Sequence, residues 1–488
     1  MNNVEKKTFL EELHLFKTDE ANFAFLPTKL LLYQIDADTY DKLAELVEKA
    51  GTDTPIDLND EDLISAGIIY EAEEPLGDTF RKMVEAAEAE AEDDEKETPK
   101  LRITNTVLQI ANDCNLNCIY CYGDGGSYGR KRELMTFETA KDAVDLMVAN
   151  SEGVETLLVV FFGGEPLMNF EVVKATFDYC KSLEPQIGKK FAFSMTTNGT
   201  ILNDEIYHFI KDNKISVMIS VDGGRDVQNT HRCYCDGRGS FDDVVKNIER
   251  FKDARGGRLA ARATVCKTDI RFKKLKDDLL ALGFTHAITS MVDTGEDSPL
   301  FIGGDYTEKV LEQYKILADD YVNNIISGKG DSNNIFEHTL NSLYFKKMRI
   351  RSCNAGNSGI AVGTDRNIYP CHRFMGMEDY IIGTLDTGID EERKGEYQKA
   401  TIYAKEDCKE CWARYLCSGA CAHTSACHGG DVFHAPKCYC DIYKGLHEII
   451  LEMYWRLKEW DEDVFRKMMA KEEEISKKEA ISAEYGRE

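Results

Sequence analysis

Three cysteines on one short stretch, Cys114-Asn-Leu-Asn-Cys118-Ile-Tyr-Cys121, are the residues best placed to do chemistry. Thiolates are the ligands of iron–sulfur clusters, and three of them on four irons leave one iron free to bind an outside group. Zinc is the competing reading, but a structural zinc site takes four ligands in paired spacing. A second set starts at Cys353 and Cys371 and runs through Cys408-x2-Cys411-x5-Cys417-x3-Cys421 to Cys427, Cys438 and Cys440. The chain holds 16 cysteines, and their grouping in a long acidic sequence points to metal ligation rather than disulfides. Cys180 and Cys266 stand alone in apolar segments and read as core thiols. Cys233 and Cys235, in His231-Arg-Cys-Tyr-Cys, fit no ligand spacing; they read as ordinary loop residues, with thiol shuttling as the alternative.

The elements that must position these thiols follow a regular beat of apolar strand and amphipathic helix from residue 101 onward, the pattern of a parallel sheet buried on both faces. Six strands are expected, starting near residues 103, 154, 190, 215, 259 and 286, with helices between them such as Thr139 to Ala149 and Phe241 to Phe251. In parallel barrels the working residues stand at the C-terminal strand ends. Cys114 follows the first strand, Gly163-Gly164-Glu165-Pro166 the second, Thr197-Asn198-Gly199 the third, and Ser220 and Asp222 the fourth. Arg262 lies in the fifth strand, and Met291 and Val292 close the sixth.

The cysteine spacing, its place after a strand and Tyr120 before the last cysteine together resemble the radical S-adenosylmethionine superfamily. The resemblance implies that Cys114, Cys118 and Cys121 hold a 4Fe-4S cluster and that Gly163 to Pro166 bind the amino group of S-adenosylmethionine. Thr197, Asn198, Ser220 and Asp222 would touch ribose and substrate, Arg262 the methionyl carboxylate, and Met291 and Val292 the adenine. The second cysteine set is similar to the SPASM extension, which carries two auxiliary 4Fe-4S clusters, three clusters in all. By that resemblance Cys408, Cys411, Cys417 and Cys440 ligate the second auxiliary cluster, with Cys438 able to replace Cys440, and Cys353, Cys371 and Cys421 ligate the first. Sulfatase maturases of this group have a further cysteine six residues after the first, where this chain has Gly359. Either Cys427 fills that gap or the site stays open to a substrate thiolate. Those maturases also carry an aspartate base where this chain has His372.

The expected fold is therefore α/β: a partial (β/α)6 barrel at 101–310, a helical connector at 311–350, the SPASM region at 351–445 organised by metal more than by a core, and a C-terminal helix and tail at 446–488. The tail is helical from Asp441 and frays after Lys471. Residues 1–75 read as a winged-helix-like module, with strands at Phe23 to Leu26 and Leu30 to Ile35, a helix capped by Asp38, a short helix from Asp60 to Ser65 and a strand near Ile68. Residues 76–100 form an acidic helix or linker. In peptide-maturing relatives such a module adds a leader peptide as an extra strand, and Leu30 to Ile35 is the candidate edge.

With 60 basic against 87 acidic residues the formal net charge is -27, which disfavours nucleic acid and anionic membrane as partners. The sequence shows neither a membrane-spanning apolar run nor a signal peptide, and a cytoplasmic location is expected. The whole arrangement resembles the ranthipeptide (SCIFF) maturases, which form thioether crosslinks. That resemblance implies a cysteine-rich precursor peptide bound through its leader and an electron donor such as flavodoxin or ferredoxin. The cofactor radical would abstract a hydrogen, a cysteine thiolate would close on the carbon, and an auxiliary cluster would take the surplus electron. Carbon–carbon crosslinking, epimerisation and side-chain oxidation are the alternatives among enzymes. Outside them stand an iron–sulfur electron carrier and a peptide-binding scaffold.

Overall fold

A computed structural model of the chain describes residues 7–50, 58–91, 102–331 and 333–470. The six expected strands are present as Asn105–Asn112, Thr156–Gly163, Lys190–Thr197, Ser216–Ser220, Ala260–Val265 and His286–Met291. They are called the first to sixth strands below. They lie parallel and in chain order across one sheet, each joined to the next by helices on its outer face. Alternation sets the two faces: Ala261 and Ala263 are fully buried against the helices, while Arg262 between them faces the barrel interior and is open. The core side is filled by residues such as Leu157, Val159, Phe161, Val173 and Ile219.

The sheet does not stop at the first strand. Gly359–Val362, from the cysteine-rich region, pairs in parallel with Asn105 to Leu108, and Asn367–Tyr369 continues the sheet antiparallel to it. Ile360, Ala361, Val362, Ile368 and Tyr369 are buried in the barrel core. The expectation that metal alone organises residues 351–445 is thus corrected: apolar residues with strand periodicity anchor this region to the barrel.

At the N-terminus, His14–Lys17, Asn22–Leu26 and Leu31–Ile35 form a three-stranded antiparallel sheet, followed by helices Ala37–Ala50 and Glu61–Ser65. Lys7–Leu10 pairs with Ile69–Ala72. Asp60, expected as the first residue of its helix, caps it instead by accepting from Leu63 N. The first helix is capped by Asp36, which accepts from Thr39 N at 2.7 Å; the expected cap, Asp38, falls inside the first turn. Phe23 and Phe25 project from one face of this sheet onto the C-terminal helix region, and Ala24 and Leu26 from the other onto the module's own helices.

The C-terminal helix spans Lys437–Trp460, four residues earlier than its apolar spacing indicates, because Cys438 and Cys440 occupy its first turn. A helix at Leu76–Ala91 opens the acidic segment; the rest of that segment and the tail beyond residue 470 lie outside the described residues. Among the described residues no helix is long and apolar enough to cross a membrane.

Candidate active site and cluster-binding region

The loop that follows the first strand carries Cys114, Cys118 and Cys121, all half-buried and unpaired by disulfides. Asp113 at its start accepts from Cys114 N, and Cys121 N donates back to Cys118 O at 3.1 Å, closing a tight turn. Burial pushes the Cys114 thiol up to about 12 and the Cys118 thiol to about 11. Bare thiols here hold their protons, so a metal must displace them on binding.

Gly163 and Gly164 pack against this loop at backbone distance. A Cβ on Gly164 would lie 2.1 Å from Asp113 O, and one on Gly163 2.4 Å from Ala111 O, with Gly163 also at φ 134°. Only glycine permits the approach. Glu165 is fully buried. Its carboxylate accepts from Leu167 N at 3.0 Å, Thr197 Oγ1 at 2.8 Å and Asn198 N at 2.7 Å, which ties the second strand end to the third. Burial raises its pKa, while those bonds and Arg232 oppose the rise. Asn198 reaches on to Asn115 Oδ1 at 2.8 Å and to Cys114 Sγ at 3.8 Å.

Tyr120 donates to Asp222 Oδ2 at 2.6 Å, so the aromatic residue of the cysteine loop is fixed by the fourth strand end. Asp222 is fully buried and also accepts from Thr264 N. Ser220 sits beside Arg262 in register across the fourth and fifth strands. Arg262 pairs with no carboxylate among the described residues, and burial lowers its pKa. Met291 is half-buried, whereas Val292 is 3% exposed and packs into the second hydrophobic core.

Arg232–Tyr234 forms a short strand antiparallel to Leu116–Cys118, with Arg232 opposite Cys118 and Cys233 opposite Asn117. Cys233 Sγ lies 3.6 Å from Asn117 O, which corrects its reading as a loop residue. Cys235 is exposed in the turn that follows, with its Sγ 3.8 Å from Asn115 O.

The second cysteine set separates into two groups. Cys408, Cys411, Cys417 and Cys440 are one another's electrostatic neighbours, with burial raising Cys408 to about 12 and Cys440 to about 11. Cys353, Cys371 and Cys421 form the other, around Cys371, which burial raises to about 12. Cys438 faces Glu296 first, with Asp293 and Cys440 as weaker electrostatic neighbours. Cys427 is exposed, with its Sγ 3.6 Å from His423 Nε2. Gly359 lies in the strand beside Asn105, and a Cβ there would lie 2.4 Å from Asn105 Oδ1, so the Asn105 side chain would have to turn aside for a larger residue. His372 packs at a tilt against Phe162, ring centroids 4.5 Å apart, and burial, then Arg373 and Arg262, push its pKa down to about 3, leaving it neutral and a poor base.

Lys405 tests whether these thiols suit iron–sulfur clusters. It is 3% exposed, and its Nζ donates to Gly419 O at 2.7 Å and Ser425 Oγ at 2.8 Å, both neutral. Burial lowers its pKa, and it is opposed first by Cys408, Cys417 and Cys421, drawn from both groups, and then by the Asp431 carboxylate. A buried cation answered mainly by sulfur fits sites that carry anionic thiolate clusters.

Sequence reasoning missed three residues of this region. Asp293 lies one position past Val292, at a strand end where a polar residue should have been noticed; it accepts from Arg373 at 2.7 Å, Thr424 at 2.7 Å and His428 at 2.9 Å. Arg232 gave a weak signal as the neighbour of an odd cysteine pair. Lys405 gave none, because a lysine before a cysteine looks exposed.

Residues 108–268 match the Radical SAM superfamily. An uncharacterized protein of Methanocaldococcus jannaschii is 34% identical over 30% of this chain, and the match spans about half (48%) of that relative. The radical SAM cyclopropyl synthase TigE of Paramaledivibacter caminithermalis is 23% identical over 73% of this chain and 75% of its own. A cysteine-type anaerobic sulfatase-maturating enzyme of Clostridium perfringens is 23% identical over 70% of this chain and 94% of its own. Among solved structures, native anSMEcpe with bound AdoMet superposes with a TM-score of 0.64 at 20% identity, covering 72% of this chain and 98% of that one. The two share the fold.

Proposed function

We propose that this chain, whose residues 108–268 match the Radical SAM superfamily, is a peptide-modifying enzyme that joins cysteine sulfur to carbon in a precursor peptide, forming thioether crosslinks. The observation that carries this reading is the three-thiol group of Cys353, Cys371 and Cys421. Gly359 stands where the resemblance puts a fourth thiol, and Cys427 has its sulfur against His423. Three thiols on a four-iron cluster leave an iron for an incoming thiolate.

When bound, S-adenosylmethionine and its cluster supply a radical able to take a hydrogen atom from an unactivated carbon. The protein positions the partners. Gly163 and Gly164 bring the second strand end against the cysteine loop, and Glu165 locks it to Thr197 and Asn198. Arg262, open and unpaired, suits a carboxylate. The neutral His372 beside Phe162 lines the space between the barrel and the first auxiliary group and disfavours oxidations that need a strong base there. Each crosslink would remove one hydrogen atom from carbon and one proton from sulfur, leaving one electron that clusters held by the two thiol groups would be able to accept.

The N-terminal module supports a peptide substrate. Arg414, three residues after Cys411, pairs with Glu12 through both guanidinium nitrogens, and His14 stacks on Trp412 at 3.6 Å. Leu31–Ile35 is an edge of the module's sheet, and a leader peptide would add there as a fourth strand. The solved neighbour anSMEcpe has been captured with AdoMet and a peptide. A flavodoxin or ferredoxin is the expected electron donor.

The test is anaerobic incubation with a short cysteine-rich peptide encoded beside this chain's gene. The product should lose the mass of two hydrogens per crosslink and release its sulfur on reductive desulfurisation. A Cys353→Ala variant that still crosslinks at full rate would remove the role given to the first auxiliary group.

A further inference from the structure

Glu296, His428 and Cys438 come from three separate segments: the loop after the sixth strand, the helix Ala422–Gly429 and the first turn of Lys437–Trp460. One donor atom of each lies within 4.8 Å of the others. None of the three has a part in the crosslinking scheme above. Cys438 and Cys440 are two residues apart on one helix, so they diverge by more than half a turn, and Cys440 is the one that joins Cys408, Cys411 and Cys417.

The histidine is held as metal-binding histidines are held. Its side chain is 3% exposed, and Nε2 bonds to Asp293 Oδ1 at 2.9 Å. A proton on Nε2 shared with that carboxylate leaves the lone pair on Nδ1, and such carboxylate–histidine pairs orient ligand rings. Asp293 is itself fixed by Arg373 and Thr424. Glu296, by contrast, is exposed, so the group opens to solvent on one side.

Sulfur, imidazole and carboxylate together suit a borderline cation; three protein ligands with one open position is a zinc arrangement. We propose that Glu296, His428 and Cys438 bind one Zn2+ ion, distinct from the iron–sulfur sites, with its fourth position open to solvent.

Zinc K-edge absorption tests this on the reconstituted, cluster-loaded protein given one equivalent of zinc, since that edge is blind to iron. The expected shell is one sulfur at about 2.3 Å with nitrogen and oxygen at about 2.0–2.2 Å. The double variant His428→Ala, Cys438→Ser should lose zinc at least tenfold by metal analysis and keep its iron. No zinc above background, zinc retained by the double variant, or a shell of three or four sulfurs would each overturn the proposal. So would loss of iron on replacing Cys438 alone, which would make it a cluster ligand.

Discussion

Arg232 stands directly across from Cys118 in the short antiparallel ladder, and its guanidinium reaches the Tyr120 hydroxyl and faces the Asp222 carboxylate at 3.7 Å. A buried cation is thereby held one strand away from a cluster ligand, where it offsets thiolate charge. Replacing Arg232 with Met should leave the fully buried Asp222 short of its partner and cost about 3–5 kcal/mol. It should also lower the reduction potential of the cluster on that loop. Thermal melts and an EPR-monitored redox titration under anaerobic conditions check both, and an unchanged potential would refute the electrostatic role.

Gly164 meets the cysteine loop backbone to backbone. Gly164→Ala puts a methyl group 2.1 Å from the Asp113 carbonyl, and no flexible side chain is there to yield. The loop must move, at a cost of roughly 1–3 kcal/mol or more. Iron bound by a variant lacking the auxiliary cysteines should fall well below that of the same variant with Gly164 intact.

Lys405 is shared by the two auxiliary groups. At an effective dielectric near ~20, a unit charge within several ångströms of a redox centre is worth about 2 kcal/mol, on the order of 100 mV for one electron. Lys405→Met should therefore shift both auxiliary clusters to more negative potentials by tens of millivolts, while Lys405→Arg should shift them less. A shift confined to one cluster would mean that the lysine serves only that one.

Asp293 provides a pH test. Burial alone would raise its carboxyl, but bonds from His423, Thr424 and His428 together with the charge of Arg373 hold it well below the ordinary range. A lowered folded-state pKa gives stability that is present above the unfolded value near 3.8 and lost as pH falls below it. Asp293→Asn should thus destabilise the protein at pH 7, by about 3–5 kcal/mol since it strands Arg373, and the gap to the parent should narrow below about pH 4. Denaturant melts of the cluster-free chain avoid the acid lability of the clusters.

The strands of the barrel were legible in the sequence because each is an apolar run with its own turn signals, and the residues at their ends followed from that placement. Glu165, Thr197 and Asn198 were each named from local context, and the structure joins them by hydrogen bonds. What escaped notice depends on partners far along the chain. Arg232 matters because of Cys118, and Lys405 because two groups of thiols converge on it. Nothing local tells an exposed lysine from one enclosed by sulfur. Asp36 and Asp38 are equally good caps as residue types, and the end of the preceding strand decides between them.

The pairing of Gly359–Val362 with the first strand has a consequence for how the protein is made. The Thr104 hydroxyl bonds to the carbonyl of Ser358, 254 residues later in the chain. Until that later segment leaves the ribosome, the outer edge of the first strand stays bare over Asn105 to Leu108, with its peptide groups ready to pair with any other strand. Closing so long a loop is slow. The cysteine loop directly after that strand is thus fully translated long before its sheet is sealed, which gives iron delivery a window during synthesis and makes nascent chains stalled before residue 359 the ones most prone to aggregate.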